Sequence, residues 1–261
     1  MRRPAGLWGG TLAMFLAVKA VAEELPPLNI DLSQTTVSGL SSGAYMAGQF
    51  HVAFSSTVVG AGIIAGGPYG CAQGQLATAL NRCMQTNIGP PDPEKLLGRA
   101  RDTAQAGDID PIDHLVGDRI YVFSGTEDDT VTPEVVRQTV GFYREAGVAD
   151  QDIAFVDDVD AGHAFITADH GLPCPATASP FINDCDYDQA GALLNHLYPG
   201  LKPPAAEPQG TMTAFDQGAF LPDPTTHGLA ESGFVYIPTP CAEGNACRAH
   251  IAFHGCQQTE S

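Results

Sequence analysis

Basic residues are scarce. Twelve Lys and Arg stand against thirty Asp and Glu, a net charge of −18 over 261 residues. Nucleic acid and other polyanions are held by clustered cations, so this balance excludes them as partners. Tryptophan is nearly absent, the single one being Trp8. No two cysteines have zinc-knuckle spacing and no histidine completes a ligand pattern with them, which sets aside a metal site. No internal repeat recurs, and the apolar stretch over residues 4–18 is too short to span a bilayer. Charged residues make up only 16% of the chain and hydrophobic residues 44%. A disordered acidic tail does not have that composition; a chain that fills a core does.

What is present begins with an export signal. Arg2 and Arg3 precede the apolar stretch, and Ala20-Val21-Ala22 follows it as a small-x-small cleavage site, so residues 1–22 read as a secretory signal peptide. Cleavage there removes Arg2, Arg3 and Lys19 and no acid, taking the twelve cations to nine and the net charge from −18 to −21. The expected location is the periplasm or the extracellular space, with no stable membrane insertion once the signal is gone. An oxidising compartment also suits seven cysteines. They fall into local couples, Cys71 with Cys83, Cys174 with Cys185 and Cys241 with Cys247, each closing a short loop. Spacing alone does not decide connectivity. Cys256 is left over.

From residue 28 to the end the pattern is that of one α/β domain. A short β-prone run, Thr35 to Val37, ends at Gly39, and an apolar helix is expected from Ser42 to about Phe54. Val58 to Ala65 reads as a buried parallel strand, Asp92 to Ala106 as a surface helix after a Pro-Pro breaker. Arg119 to Phe123 is a further strand, with a helix from Pro133 to about Ala146, and Ile153 to Val156 another. Gln189 to Leu197 is a short helix. Residues 199–208 contain four prolines and read as a rigid connector within the domain. Phe234 to Ile237 and Ala249 to Phe253 complete the strands. Loops bearing Ser, Asp and His follow three of these strands, and in open α/β sheets such carboxyl ends converge on the ligand site.

Gly39-Leu40-Ser41-Ser42-Gly43 is a Gly-x-Ser-x-Gly turn between a strand and a helix. Its glycines let the corner tighten, so that Ser41 projects as a nucleophile. Register favours Ser41 over Ser42, whose amide at the helix start can donate to an oxyanion. A serine hydroxyl needs a histidine to take its proton and a carboxylate behind that histidine. After the strand ending at Phe123, the acidic loop offers Asp128, with Asp129 as competitor and Glu127 as a solvated residue. His163, in Gly162-His163-Ala164-Phe165, keeps the order Ser, Asp, His; His170 is second choice. His51, His114, His196 and His227 read as surface or helix histidines. His254-Gly255-Cys256 follows a strand like a loop that supplies a second oxyanion amide. A Cys256–His254 nucleophile–base pair is the competing reading. Neither mechanism calls for a cofactor.

Together, residues 39–49 (GLSSGAYMAGQ), 66–72 (GGPYGCA), 124–131 (SGTEDDTV), 162–165 (GHAF) and 254–258 (HGCQQ) resemble the poly(3-hydroxybutyrate) depolymerases. The resemblance is to their second catalytic-domain type, a circularly permuted α/β-hydrolase in which the serine box comes first and the oxyanion loop late. It implies hydrolysis of short-chain polyhydroxyalkanoate esters by a Ser41, Asp128, His163 triad, with the amides of Ser42 and Cys256 as oxyanion donors and Tyr69 and His254 beside the substrate. The implied partner is a polyester or oligoester. That family continues beyond the His-Gly-Cys-Gln loop with another strand and a Trp segment, so a C-terminally truncated domain and a Cys256 partner further along are expected. The rival functions are a feruloyl or acetyl-xylan esterase and a non-catalytic polymer-binding relative.

Overall fold

A computed structural model describes residues 25–220 and 230–258. The expected signal peptide, Trp8 and His227 lie outside the described residues. The chain divides into two compact units, one of Ile30–Pro204 with the chain from Ala246 onward, the other holding Ala205–Asn245 and the N-terminal residues to Asn29. The boundary at Pro204 falls inside the proline-rich stretch that the sequence reads as a connector within one domain.

The larger unit alternates strand and helix through β1 (Thr35–Leu40), α1 (Ser42–Ala53) and β2 (Val58–Ile64). A single helical turn, α2 (Leu76–Thr78), runs on as a π-helical segment over Ala79–Met84. Then come α3 (Pro93–Ala106), β3 (Arg119–Phe123), α4 (Pro133–Glu145) and β4 (Ile153–Val156), the short strands β5 (Phe165–Thr167), β6 (Leu172–Pro173) and β7 (Ile182–Asp184), and α5 (Gln189–Leu197). The other unit holds an antiparallel pair, β8 (Gly210–Asp216) and β9 (Ser232–Pro238), and one turn of helix, α6 (Thr239–Ala242). The chain returns to the larger unit in β10 (His250–Phe253).

Five strands make a parallel sheet in the order β10-β1-β2-β3-β4. The last of the described strands therefore lies beside the first of them, as in a permuted α/β-hydrolase. Every residue of β1 is buried, as in a strand covered on both faces. Side chains along β2 and β3 alternate between two cores. Ala61, Ile63, Ile120 and Val122 join Val37 against α1, α3 and α4. Ile64, Tyr121 and Phe123 join Leu40 on the opposite face against Leu193 and Leu197 of α5. Helix α3 is delimited as its sequence suggests: Asp92 caps it by accepting from the Lys95 amide, Pro93 opens it and Gly107 closes it in the left-handed region.

Four strands escape sequence reading. Strands β5 to β7 are only two or three residues long, too short to show alternation, and β8 intersperses Met212 and Phe215 with threonines, alanine and glycine, leaving no continuous apolar run. His51 is on a helix as expected but fully buried, its ring lying 2.9 Å from the Tyr143 hydroxyl and 3.0 Å from the Asp118 carboxylate. Among the described residues no helix is long and apolar enough to cross a membrane.

Candidate active site

Strand β1 ends in a corner at Ser41, whose backbone (φ 56°, ψ −119°) lies in a region costly for any residue but glycine. The Ser41 amide still donates to the Ile64 carbonyl of the neighbouring strand, while its own carbonyl accepts the Tyr45 amide as the first bond of α1. The corner closes so tightly that a Cβ on Gly39 would stand 2.3 Å from the Gly43 backbone, and one on Gly43 would stand 2.2 Å from the Phe253 carbonyl oxygen. Both flanking glycines are thus obligatory. Ser42 follows in the first turn of α1, where amides have no intrahelical acceptor.

The loop after β3 delivers Asp128, and the loop after β4 delivers His163. Both are buried, at 3% and 4% exposure, and His163 Nδ1 lies 2.8 Å from Asp128 Oδ2. The other carboxylate oxygen, Oδ1, accepts the amides of Thr130 and Val131 at 2.9 Å each. Asp128 is thereby fixed by hydrogen-bond partners on both of its oxygens in a nearly dry setting. His163 is anchored from behind, its amide donating to Thr177 Oγ1 at 2.9 Å, and its ring meets Phe181 edge-on at 6.4 Å. The competitors stand elsewhere: Asp129 and Glu127 are exposed, and His170 pairs with Asp169 at the surface.

Ser41, Ser42, His163 and Cys256 line one cavity of about 810 Å³. Its walls are mainly apolar, formed by Leu40, Tyr45, Ala79, Met84, Val131 and Phe181, with Gln49, Gln73 and Thr177 as polar points. The loop after β10 is pinned there: the Gly255 amide donates to Gln258 Oε1 at 2.6 Å and Gln258 Nε2 to the Pro180 carbonyl at 2.9 Å. Cys256 carries a free, exposed thiol. Tyr69 and His254, implied as substrate contacts, are not part of the cavity wall. Tyr69 packs its ring on Phe142, 6.1 Å between centroids, and burial raises its phenol above the usual range. His254 is exposed and points Nδ1 at the Gly255 carbonyl. The apolar wall residues come from segments far apart in the chain; Leu40, Tyr45 and Val131 stand inside motifs visible beforehand, whereas Ala79, Met84 and Phe181 do not.

Cys71 is bonded to Cys83 and Cys174 to Cys185; Cys241 and Cys247 are both disulfide-bonded. The first bridge also helps form the cavity, both of its cysteines lining it. Beside it the Tyr45 hydroxyl donates to the Cys83 carbonyl, and burial raises that phenol far above its ordinary pKa.

No family model matches the chain. It is 41% identical over 242 residues to a poly(3-hydroxybutyrate) depolymerase of Delftia acidovorans, a match taking in 91% of this chain and 48% of that protein. It is 34% identical over 257 residues to a polyhydroxybutyrate depolymerase of Talaromyces funiculosus, covering 94% of this chain and 71% of that one. The chain thus spans about half the length of the Delftia relative. Two solved structures superpose with a TM-score of 0.80 at 32% identity, each over 91% of this chain and 73% of its own: the PHB depolymerase from Penicillium funiculosum and a PHB depolymerase variant complexed with an R3HB trimer. The chain belongs to the polyhydroxybutyrate depolymerase family.

Proposed function

We propose that this protein is an exported serine esterase that hydrolyses polyhydroxybutyrate through an acyl-enzyme, with Ser41 as nucleophile, His163 as base and Asp128 as its carboxylate partner. The observation that carries the reading is the buried His163–Asp128 pair, 2.8 Å apart, opening on the cavity that Ser41 also lines. With Nδ1–H donating to Asp128, the ring's free nitrogen is Nε2, the one that takes a proton from Ser41 Oγ as that oxygen attacks the ester carbonyl. The tetrahedral oxyanion then accepts from the amides of Ser42 and Cys256. On collapse the alcohol leaves with the proton from His163, and water repeats the attack to free the acid. One oxyanion donor is worth roughly 3–4 kcal/mol of transition-state stabilisation.

Substrate class follows from the walls. An uncharged, mainly apolar polyester needs contact area rather than cations, and the cavity offers Leu40, Met84, Val131 and Phe181. One of the solved relatives was captured with an R3HB trimer. Disulfides support export, to the periplasm or beyond. The test sets amorphous polyhydroxybutyrate against a feruloyl ester and acetylated xylan. Clearing of the polyester with negligible turnover of the carbohydrate esters is the expected outcome; the reverse preference would overturn the substrate, and binding without any turnover would overturn the activity.

A further inference from the structure

Strand β10 carries the loop that places Gly255 and Cys256 beside Ser41, yet it meets the sheet over only four residue pairs, Thr36 with His250 through Gly39 with Phe253. A parallel ladder this short does not fix its own register. A slip of two residues keeps every side chain on its face and moves the strand by about 6.6 Å. At its end there is no tolerance for such movement. The Phe253 carbonyl fits against Gly43, where even a methyl would collide, and a Cβ on Gly255 would lie 3.2 Å from the Leu40 carbonyl oxygen and 3.5 Å from Ser41 Cβ.

What specifies the register is on the side-chain face. Thr36 and Ser38, two apart and buried, present their hydroxyls to a single imidazole: His250 Nδ1 lies 2.7 Å from Thr36 Oγ1, and Nε2 lies 2.8 Å from Ser38 Oγ. The proton order can be deduced. The Thr36 hydroxyl donates to the Tyr198 hydroxyl at 2.7 Å, so it has no proton left for the ring. Nδ1–H therefore donates to Thr36, and Nε2 accepts from Ser38. Tyr198 passes the chain on, its hydroxyl lying 3.0 Å from the Gln34 carbonyl and 2.9 Å from the Ala249 carbonyl at the entrance of β10. Arg248 covers the Tyr198 ring at 5.2 Å from its centroid. Burial draws the His250 pKa down to about 4, so at neutral pH the ring is uncharged, with the one donor and one acceptor this arrangement uses.

We propose that His250 is a positioning residue: held by Thr36, Ser38 and Tyr198, it locks β10 in the one register that sets the Gly255–Cys256 amides against Ser41. This rests on the assignment of Ser41 as nucleophile and of the Cys256 amide as oxyanion donor. His250 touches neither substrate nor Ser41; it acts through the strand. Glutamine has a donor and an acceptor that can serve both hydroxyls, whereas phenylalanine fills the space and serves neither.

The test compares the full chain with His250→Phe, His250→Gln and Tyr198→Phe, using a soluble 3-hydroxybutyrate oligomer. Active sites are first titrated with a fluorophosphonate probe and the labelled residue is mapped. Per titrated site, His250→Phe is expected to lower kcat about tenfold to a hundredfold, the cost of sub-ångström to ångström misplacement, with KM within about twofold. His250→Gln should regain most of the loss, and Tyr198→Phe should show a smaller loss of the same kind. An unchanged kcat per titrated site in His250→Phe overturns the proposal. Should that variant not fold, an unchanged kcat in Tyr198→Phe or a failure of glutamine to restore kcat overturns it. A wild-type protein labelled at a residue other than Ser41 overturns the underlying assignment instead, a separate outcome.

Discussion

Replacing Asp128 by asparagine separates charge from shape at the buried pair. Asp128 Oδ1 accepts two amides, from Thr130 and Val131, each at 2.9 Å. An asparagine must therefore turn its carbonyl oxygen toward them, because its NH2 group would face two donors. That orientation presents NH2 to His163 Nδ1, at the 2.8 Å position now held by Oδ2. The ring nitrogen there has to accept, so the ring proton moves to Nε2, and the imidazole can no longer take a proton from Ser41. The tautomer is wrong while the geometry is intact. A loss of about ten-thousandfold in kcat is expected, about 5.5 kcal/mol of transition-state stabilisation. The fold keeps the same volume and its backbone bonds, so stability should fall by no more than about 1–2 kcal/mol. Steady-state hydrolysis of a soluble 3-hydroxybutyrate oligomer, beside urea unfolding, measures both. Asp128→Asn activity within tenfold of wild type would refute the reasoning. Exposed Asp129 is the control: Asp129→Asn should remain within about twofold of wild type.

Further expectations follow from packing and titration. The folded His250 pKa of about 4 lies below the ordinary value of 6.5, so between these pH values the unfolded chain binds more protons and stability rises with pH. The ring's contribution, about 3 kcal/mol, is present above pH 6.5 and lost as pH falls toward 4; unfolding titrations of wild type and His250→Gln should diverge in that window and not above it. Gly98→Ala in α3, where a new Cβ meets nothing within 4 Å, should stabilise the protein by about 0.5–1 kcal/mol in chemical denaturation. Gly43→Ala, with the Phe253 carbonyl oxygen 2.2 Å away, should abolish turnover by pushing β10 from the elbow. Removing the Cys71–Cys83 bridge, which closes a loop over 12 positions, should cost about 3 kcal/mol of stability on chain-entropy grounds, read as a lower denaturation midpoint.

The features legible in the sequence are those that a single segment determines. The elbow is one: Gly39, Ser41 and Gly43 fall within the five residues of one corner, and the clash distances at both glycines explain why that spacing is needed. Strands β2 and β3 are others, since burial on both faces leaves continuous apolar runs. Asp128 and His163 could each be picked out as the polar residue after a strand, although nothing in the sequence states that their side chains meet. Tyr69, expected beside the substrate as an apolar group, packs its ring on Phe142, because α4 supplies an aromatic partner that the local sequence does not reveal. The cavity wall, with Met84, Val131 and Phe181 drawn from three separate segments, and the clamp of His250 on Thr36 and Ser38, more than two hundred residues earlier, depend on long-range pairing. No local period records either one.

The central claim is that one hydroxyl, that of Ser41, carries ester hydrolysis in this chain. Its most direct test is the rate of R-3-hydroxybutyrate trimer hydrolysis by Ser41→Ala, measured on folded protein against wild type. The account predicts a fall to the background left by binding alone, at least about ten-thousandfold below wild type. Trimer hydrolysis by Ser41→Ala at a rate near that of wild type would contradict it.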